Sequence, residues 1–159
     1  MKIKTSKIAV FLNTGTGSSP TWSRIRKQNE LNIGYDAETE ENNFIDEDGP
    51  STSVEKYKVS FDGEMVAYDE DEVFAYLDDL RQKRATGTDA ETEVLMVYLY
   101  DAQDDAYAAE KNNCSVQITD FGGEGGGGTA HINYTVTLNG DPVKGTCTVT
   151  SGTPTFTEA

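Results

Sequence analysis

DEDEVFAYLDDLRQKRATG, residues 69–87, is the stretch whose reading decides the fold. Asp69 stands three residues before Glu72, the spacing of an N-cap with a capping box. Acidic residues crowd the start, and Arg81, Lys83 and Arg84 crowd the end, an order that complements the helix macrodipole. Val73, Phe74, Leu77 and Leu80 fall on one stripe, so the spacing predicts an amphipathic helix over 69–87. Gly87 occupies the position at which a left-handed residue closes a last turn. No other segment carries this signature. The remainder reads as strands and loops, and the helix must rest on the sheet they make.

Outward from the helix, alternation marks the strands. Tyr57, Val59 and Phe61 share one face, with Lys56, Lys58 and Ser60 on the other. After the helix, VLMVYLY at 94–100 is a continuous apolar run, as expected of a strand buried on both faces. Residues 101–113 read as loop, with a helical turn through 106–111. Cys114, Val116 and Ile118 alternate, and so do Ile132, Tyr134, Val136 and Leu138. Asn139-Gly140 is a strong hairpin signal, after which 143–150 is expected to return antiparallel. Leu31, Ile33 and Tyr35 alternate too, with Gly34 as an expected bulge. Six to eight strands and one helix give an α+β, mainly β fold: an antiparallel β-sandwich or partly open barrel with one flanking α-helix.

The organisation follows. Residues 1–21 are expected to form a flexible basic arm, because NTGTGSSPT at 13–21 has nothing apolar to anchor it. Residues 22–150 form the body, with a long loop at 36–53, and 151–159 form a polar tail or a last edge strand. The loop is acidic, with Asp36, Glu38, Glu40, Glu41, Asp46, Glu47 and Asp48, and Phe44 and Ile45 are its only large apolar residues. Long loops in small domains are often functional. DAETE occurs at 36–40 and at 89–93, but its flanks do not match, so no duplication is inferred.

Charge is distributed unevenly. Lys2, Lys4, Lys7, Arg24, Arg26 and Lys27 all precede the first acid, Glu30, and seven cations face 28 carboxylates after it, a net −21. Such a body repels nucleic acid. The basic head has two readings, DNA binding or pairing with the acidic body of a neighbouring copy, and six charges spread over 27 residues favour the second. The apolar run at 8–12 is too short for a signal-peptide core, so no secretion is expected, and no run spans a membrane.

Residues that carry chemistry are sparse. His131 is the only histidine, and Cys114 and Cys147 lie far apart without a CxxC motif. IDEDG at 45–49 lacks the spacing of a calcium loop, and GGEGGGG at 122–128 lacks the Lys-Ser/Thr of a phosphate cradle. Catalysis, a cofactor and a metal are therefore not expected. A carboxylate-based hydrolase would need two acids around a cleft.

WSRIRKQNELNIGYDAETEENNFIDED at 22–48 resembles the opening of major tail proteins, the tail tube subunits of long-tailed phages of Gram-positive bacteria. VFAYLDDLRQKRATGTDAETEVLMVYLY, FGGEGGGG and INYTVTLNGDPVKGT follow in that family's order and spacing, so the likeness covers residues 22–150. The cysteines, the basic head and the run of four glycines have no match in the family. The resemblance implies a structural virion protein that self-assembles into rings, generally hexameric, stacking into a tube through which DNA passes as cargo. It implies other tail proteins as partners, such as the tape measure and terminator, with assembly in the host cytoplasm and no membrane. In that family a long loop after the second strand, together with the terminal arms, reaches the next ring, and by position that loop would be residues 36–53 here. The competing reading is a monomeric β-sandwich module that binds a carbohydrate or a protein through Trp22 and surface tyrosines.

Overall fold

The apolar run at 94–100 lies inside β5 (Glu91–Gln103), and the sheet grows from it in both directions. The computed structural model describes residues 1–159. The other strands are β1 (Ile8–Asn13), β2 (Trp22–Arg24), β3 (Ile33–Asn42), β4 (Ser51–Val66), β6 (Ala106–Gly122), β7 (His131–Thr150) and β8 (Thr153–Glu158). One helix, α1 (Glu72–Lys83), joins β4 to β5 through a 3-10 turn at Gly87–Ala90, and a second 3-10 turn, Thr5–Lys7, precedes β1. The strands form one antiparallel sheet in the order β2-β1-β5-β6-β7-β4-β3, with β8 also on β7. It curls without closing; a single bridge between Gln28 and Met65 spans part of the gap. The architecture is mainly β, with one flanking helix.

The core has two layers. Val10, Leu12, Val94, Met96, Val116, Ile132, Tyr134 and Val136 line the concave face, where Val73, Leu77 and Leu80 of α1 cover them. Ala9, Phe11, Leu95, Val97, Ala109 and Cys147 lie on the convex face under Trp22 and Phe156. β1 and β5 are thus buried on both sides, which their continuous apolar sequences require. Residues 8–13 were expected to lie within a flexible arm, but they form an interior strand. A run of five apolar residues is too short for a membrane signal and the right length for a buried strand. The segment after it is tied back, because Asn13 Oδ1 accepts hydrogen bonds from the Gly15 and Thr21 amides at 2.9 and 3.0 Å.

The helix begins later and ends earlier than the sequence implies. Its N-cap is Asp71, whose Oδ1 accepts from the Val73 and Phe74 amides at 2.9 and 3.2 Å. Asp69 makes no such bond. Asp71 is buried against Arg26, 3.3 Å away, so tertiary contact selects among three adjacent acids. Arg84, at φ 49°, supplies the left-handed C-cap, and Ala85 then packs on the core. Gly87 instead opens the 3-10 turn.

Four loop and turn expectations are overturned. Residues 36–53 are not one loop: β3 and β4 pair from Ile33↔Phe61 to Asn42↔Ser51, leaving only 43–50 as connection. Cross-strand pairing outweighs the strand-poor acidic composition there. Gly34 pairs regularly with Ser60, and the bulge falls at Glu38/Thr39 instead. Residues 101–113 extend β5 and β6 around a two-residue turn at Asp104 and Asp105; the helix formers at 106–111 are overridden by ladders on both sides. Asn139-Gly140 makes no hairpin, since β7 runs through it for 20 residues and 143–150 continues the same strand. The tight turn is Ser151-Gly152, with φ 51° and 79°, which joins β7 to β8.

Gly140, at φ 71°, belongs to a bulge in which residues 140–142 lie opposite Asn112 alone, and the Asn112 side-chain amide donates to the Gly140 carbonyl at 3.4 Å. On the other edge of β7, pairing with β4 stops at Thr137 and pairing with β8 starts at Gly145. Pro142, between them, has no amide to offer. Beyond Ser60, β4 therefore leaves β7 and continues with β3 as its only partner.

Candidate assembly surface

The separated part of β3 and β4 is a two-stranded arm. One face carries Asp36, Glu38, Lys56 and Lys58 in facing register, with Glu38 and Lys56 ion-paired at 3.3 Å. The other carries Tyr35, Ala37, Tyr57, Val59 and Val54, which prolong the row that begins with buried Phe61. Tyr35, Val54 and Tyr57 are more than half exposed. At the tip, Phe44 and Ile45 are exposed beside Asp46, Glu47 and Asp48; the Glu47 amide donates to the Phe44 carbonyl at 3.2 Å, and Ser51 hydrogen-bonds the Glu47 carboxylate. Glu40 and Glu41 lie opposite Ser53 and Thr52, so no cation on β4 faces them. An isolated two-stranded ribbon with open edges is marginal in water and a template for pairing. The arm therefore leaves backbone edges and Val54, Tyr57, Phe44 and Ile45 open to solvent.

The six cations of the head are not equivalent. Arg26 is paired with Asp71, Lys27 lies over the Tyr68 ring at 4.9 Å, and Arg24 donates to the Ser6 carbonyl at 3.1 Å. Lys2, Lys4 and Lys7 are exposed and make no ion pair. The strand directions fix where they sit. β1 starts at Ile8 opposite Tyr98, near the end of the sheet where β5 turns at Asp104; β4 runs antiparallel to β7, so the arm leaves at that end as well. Head and arm share one end.

The other end carries the Gly-rich connection between β6 and β7, the 14–21 segment and the C-terminus of α1. There a groove of about 590 Å³ opens between α1 and β6. Leu80, Ala85, Ala90, Val116, Ile118 and Phe121 line it, with Arg81 and Arg84 alongside. These residues come from two stretches, 80–90 and 116–121; the helix stripe and the alternation of Val116 and Ile118 had local signals in the sequence, and their meeting had none. His131 pairs with Val66 and Gly122 and is half-buried. Cys114 is on the concave face and Cys147 on the convex face, both as free thiols. Burial pushes the Cys114 thiol up to about 12, and it raises the Cys147 thiol as well. No cluster of three or more His, Cys, Asp or Glu residues has metal-holding geometry, and no helix is long and apolar enough to cross a membrane.

No profile of a known protein family and no curated protein sequence matches the chain. Among solved structures, it is similar to a chain from the tail of an empty GTA particle with C6 symmetry: TM-score 0.65 and 12% identity, covering 89% of this chain and 97% of that one. It is also similar to the sheath/tube terminator of an extracellular contractile injection system, PVC, in the extended state: TM-score 0.57 and 9% identity, covering 91% and 96%. At these identities what is shared is the fold, and it is shared over nearly the whole of each chain.

Proposed function

We infer that this chain is a structural tail protein, and more narrowly a tube subunit that self-assembles into stacked rings around a passage for DNA. The observation that carries the reading is the arm, a ribbon with open backbone edges and with Val54, Tyr57, Phe44 and Ile45 left exposed by its own chain. The whole-chain likeness to a tail protein of a C6-symmetric particle supports it. Charge supports it too: a wall with an excess of carboxylates lets phosphates pass without sticking. The chain's role is non-enzymatic, its partners are further copies and other tail proteins, and its location is the virion tail.

The experiment compares the full chain with a variant in which residues 40–53 are replaced by Asn-Gly. Thr39 and Val54 lie directly opposite, so a two-residue turn closes the shortened ribbon. The full chain at high concentration is expected to form rings or tubes under electron microscopy, and the shortened chain to fold but sediment as a monomer. A full chain that stays monomeric at every concentration and salt level defeats the reading. A shortened chain that assembles normally removes the arm from it.

A further inference from the structure

We propose that the groove between the C-terminus of α1 and β6 is the socket for the arm tip of a second copy, with Phe44 and Ile45 seated in it. The proposal rests on the arm as the assembly element and names its partner surface. Three observations carry it.

The first is position. β6 runs from Ala106 at the arm end to Gly122 at the opposite end, and Val116 to Phe121 line the groove near that far end. Tip and groove thus lie at opposite ends of one chain, the arrangement that repeats head to tail through heterologous rather than self-complementary contacts. The basic head shares the arm's end and is excluded as a socket in such a stack.

The second is shape and polarity. The tip presents two large apolar side chains, with Ile45 wholly exposed and Phe44 about half. The groove exposes Ala85, Ala90 and Ile118 above the buried Leu80 and Val116, with the Phe121 ring at one edge and Thr86, Gln117 and Thr119 as its polar lining. Phe121 is held in place from two directions: Phe74 meets it edge-on at 6.2 Å and the Arg81 guanidinium lies over it at 4.2 Å. Two side chains entering between helix and strand exchange water for contact with Ala85, Ala90, Ile118 and Phe121.

The third is charge. Asp46, Glu47 and Asp48 adjoin the apolar pair of the tip. Arg84 lies beside the groove with no carboxylate in ion-pair range, and Arg81, although paired with Asp78 at 2.6 Å, adds to the cationic rim. Asp120 is the one carboxylate in the lining, and it is already engaged by the Phe121 amide at 2.9 Å. Lys83 is paired with Asp79. The free guanidinium of Arg84 therefore faces the arriving carboxylates, and it suits planar recognition of a carboxylate.

The test is a cysteine pair in the full chain, Ile45→Cys with Ala85→Cys, assembled and then mildly oxidised. The native thiols are buried and stay out of the reaction. A ladder of dimers, trimers and higher species without reductant is expected, with neither single variant going beyond dimers. Arg84→Glu is expected to raise the concentration needed for assembly at least tenfold, and Asp46→Arg added to it to restore much of the loss. Particles that form without the 45–85 ladder overturn this docking alone. A ladder from Ile45→Cys with Lys4→Cys in place of Ala85→Cys makes the head the socket and also overturns it. A parent chain that never assembles overturns both this proposal and the functional reading beneath it.

Discussion

Two regions of this sheet use the same alternation of apolar and polar residues to opposite ends. In the body, β7 places Ile132, Tyr134 and Val136 at 0–1% exposure on one face, under α1. In the arm, β3 and β4 leave Val54 and Tyr57 at 53% and 60% exposure on a shared face, while Tyr35 beside them reaches Tyr98 of the body. Alternation therefore makes a face, and only a second layer makes a core. Fully burying a large apolar side chain contributes roughly 1.5–3 kcal/mol. The body realises that gain within one chain, whereas the arm holds it in reserve for a contact with another.

Four measurements break or sharpen the contrast, and the largest effect is kinetic. Cys114 and Cys147 are buried, and burial pushes Cys114 up to about 12. A maleimide at pH 7.5 is expected to label them only as fast as the chain opens, whereas Ile45→Cys at the tip reacts at the rate of a free thiol. With an open fraction of about 10⁻³ or less, the two rates differ by at least ~1,000-fold. Equal rates would mean that the body is no more closed than the arm.

Core truncation comes next. Leu95→Ala is expected to cost about 2–5 kcal/mol in urea unfolding, while Tyr57→Ala in the monomer stays within about 0.5 kcal/mol. A Tyr57→Ala cost close to that of Leu95→Ala would place the arm on a packed surface of its own chain. The helix start gives a smaller effect. Asp71→Ala is expected to cost ~0.5–2 kcal/mol through the lost cap, and Asp69→Ala to stay within about 0.5 kcal/mol. The reverse order would move the cap back to the residue that sequence spacing favours. Smallest is the exposed Glu38–Lys56 pair on the arm, with side chains 65% and 73% exposed. Lys56→Ala is expected to change monomer stability by about 0–0.5 kcal/mol and to lose even that in high salt.

The sequence carried the features that depend on local composition. The helix stripe, the doubly buried run at 94–100 and the alternating strands at 114–118 and 132–138 are where their patterns place them. Features decided by neighbours distant in sequence were not legible. Asp71 rather than Asp69 caps the helix because Arg26, on a segment 45 residues away, meets it there. Asn139-Gly140 is a bulge and not a turn because β6 pairs with β7 on both sides of it. β1 lacks a strand's alternation because it has no solvent face. The candidate socket draws on two stretches, 80–90 and 116–121, and neither alone contains its pattern. The acids at 36–48 were legible as a projecting, exposed element; that most of them ride on a paired strand was not.

The bulge at residues 140–142 also bears on how the chain tolerates changes in length. Side chains in a strand alternate, so one residue gained or lost shifts every later one to the wrong face. In β7 that would turn Cys147 and Val149 away from Phe156, or Ile132, Tyr134 and Val136 away from α1. Three residues already share one partner position opposite Asn112. An insertion or deletion there alters the slack in the bulge and leaves the parity of both halves intact. This short segment serves as the register buffer of a 20-residue strand, the one place along β7 where length can vary while both layers keep their partners.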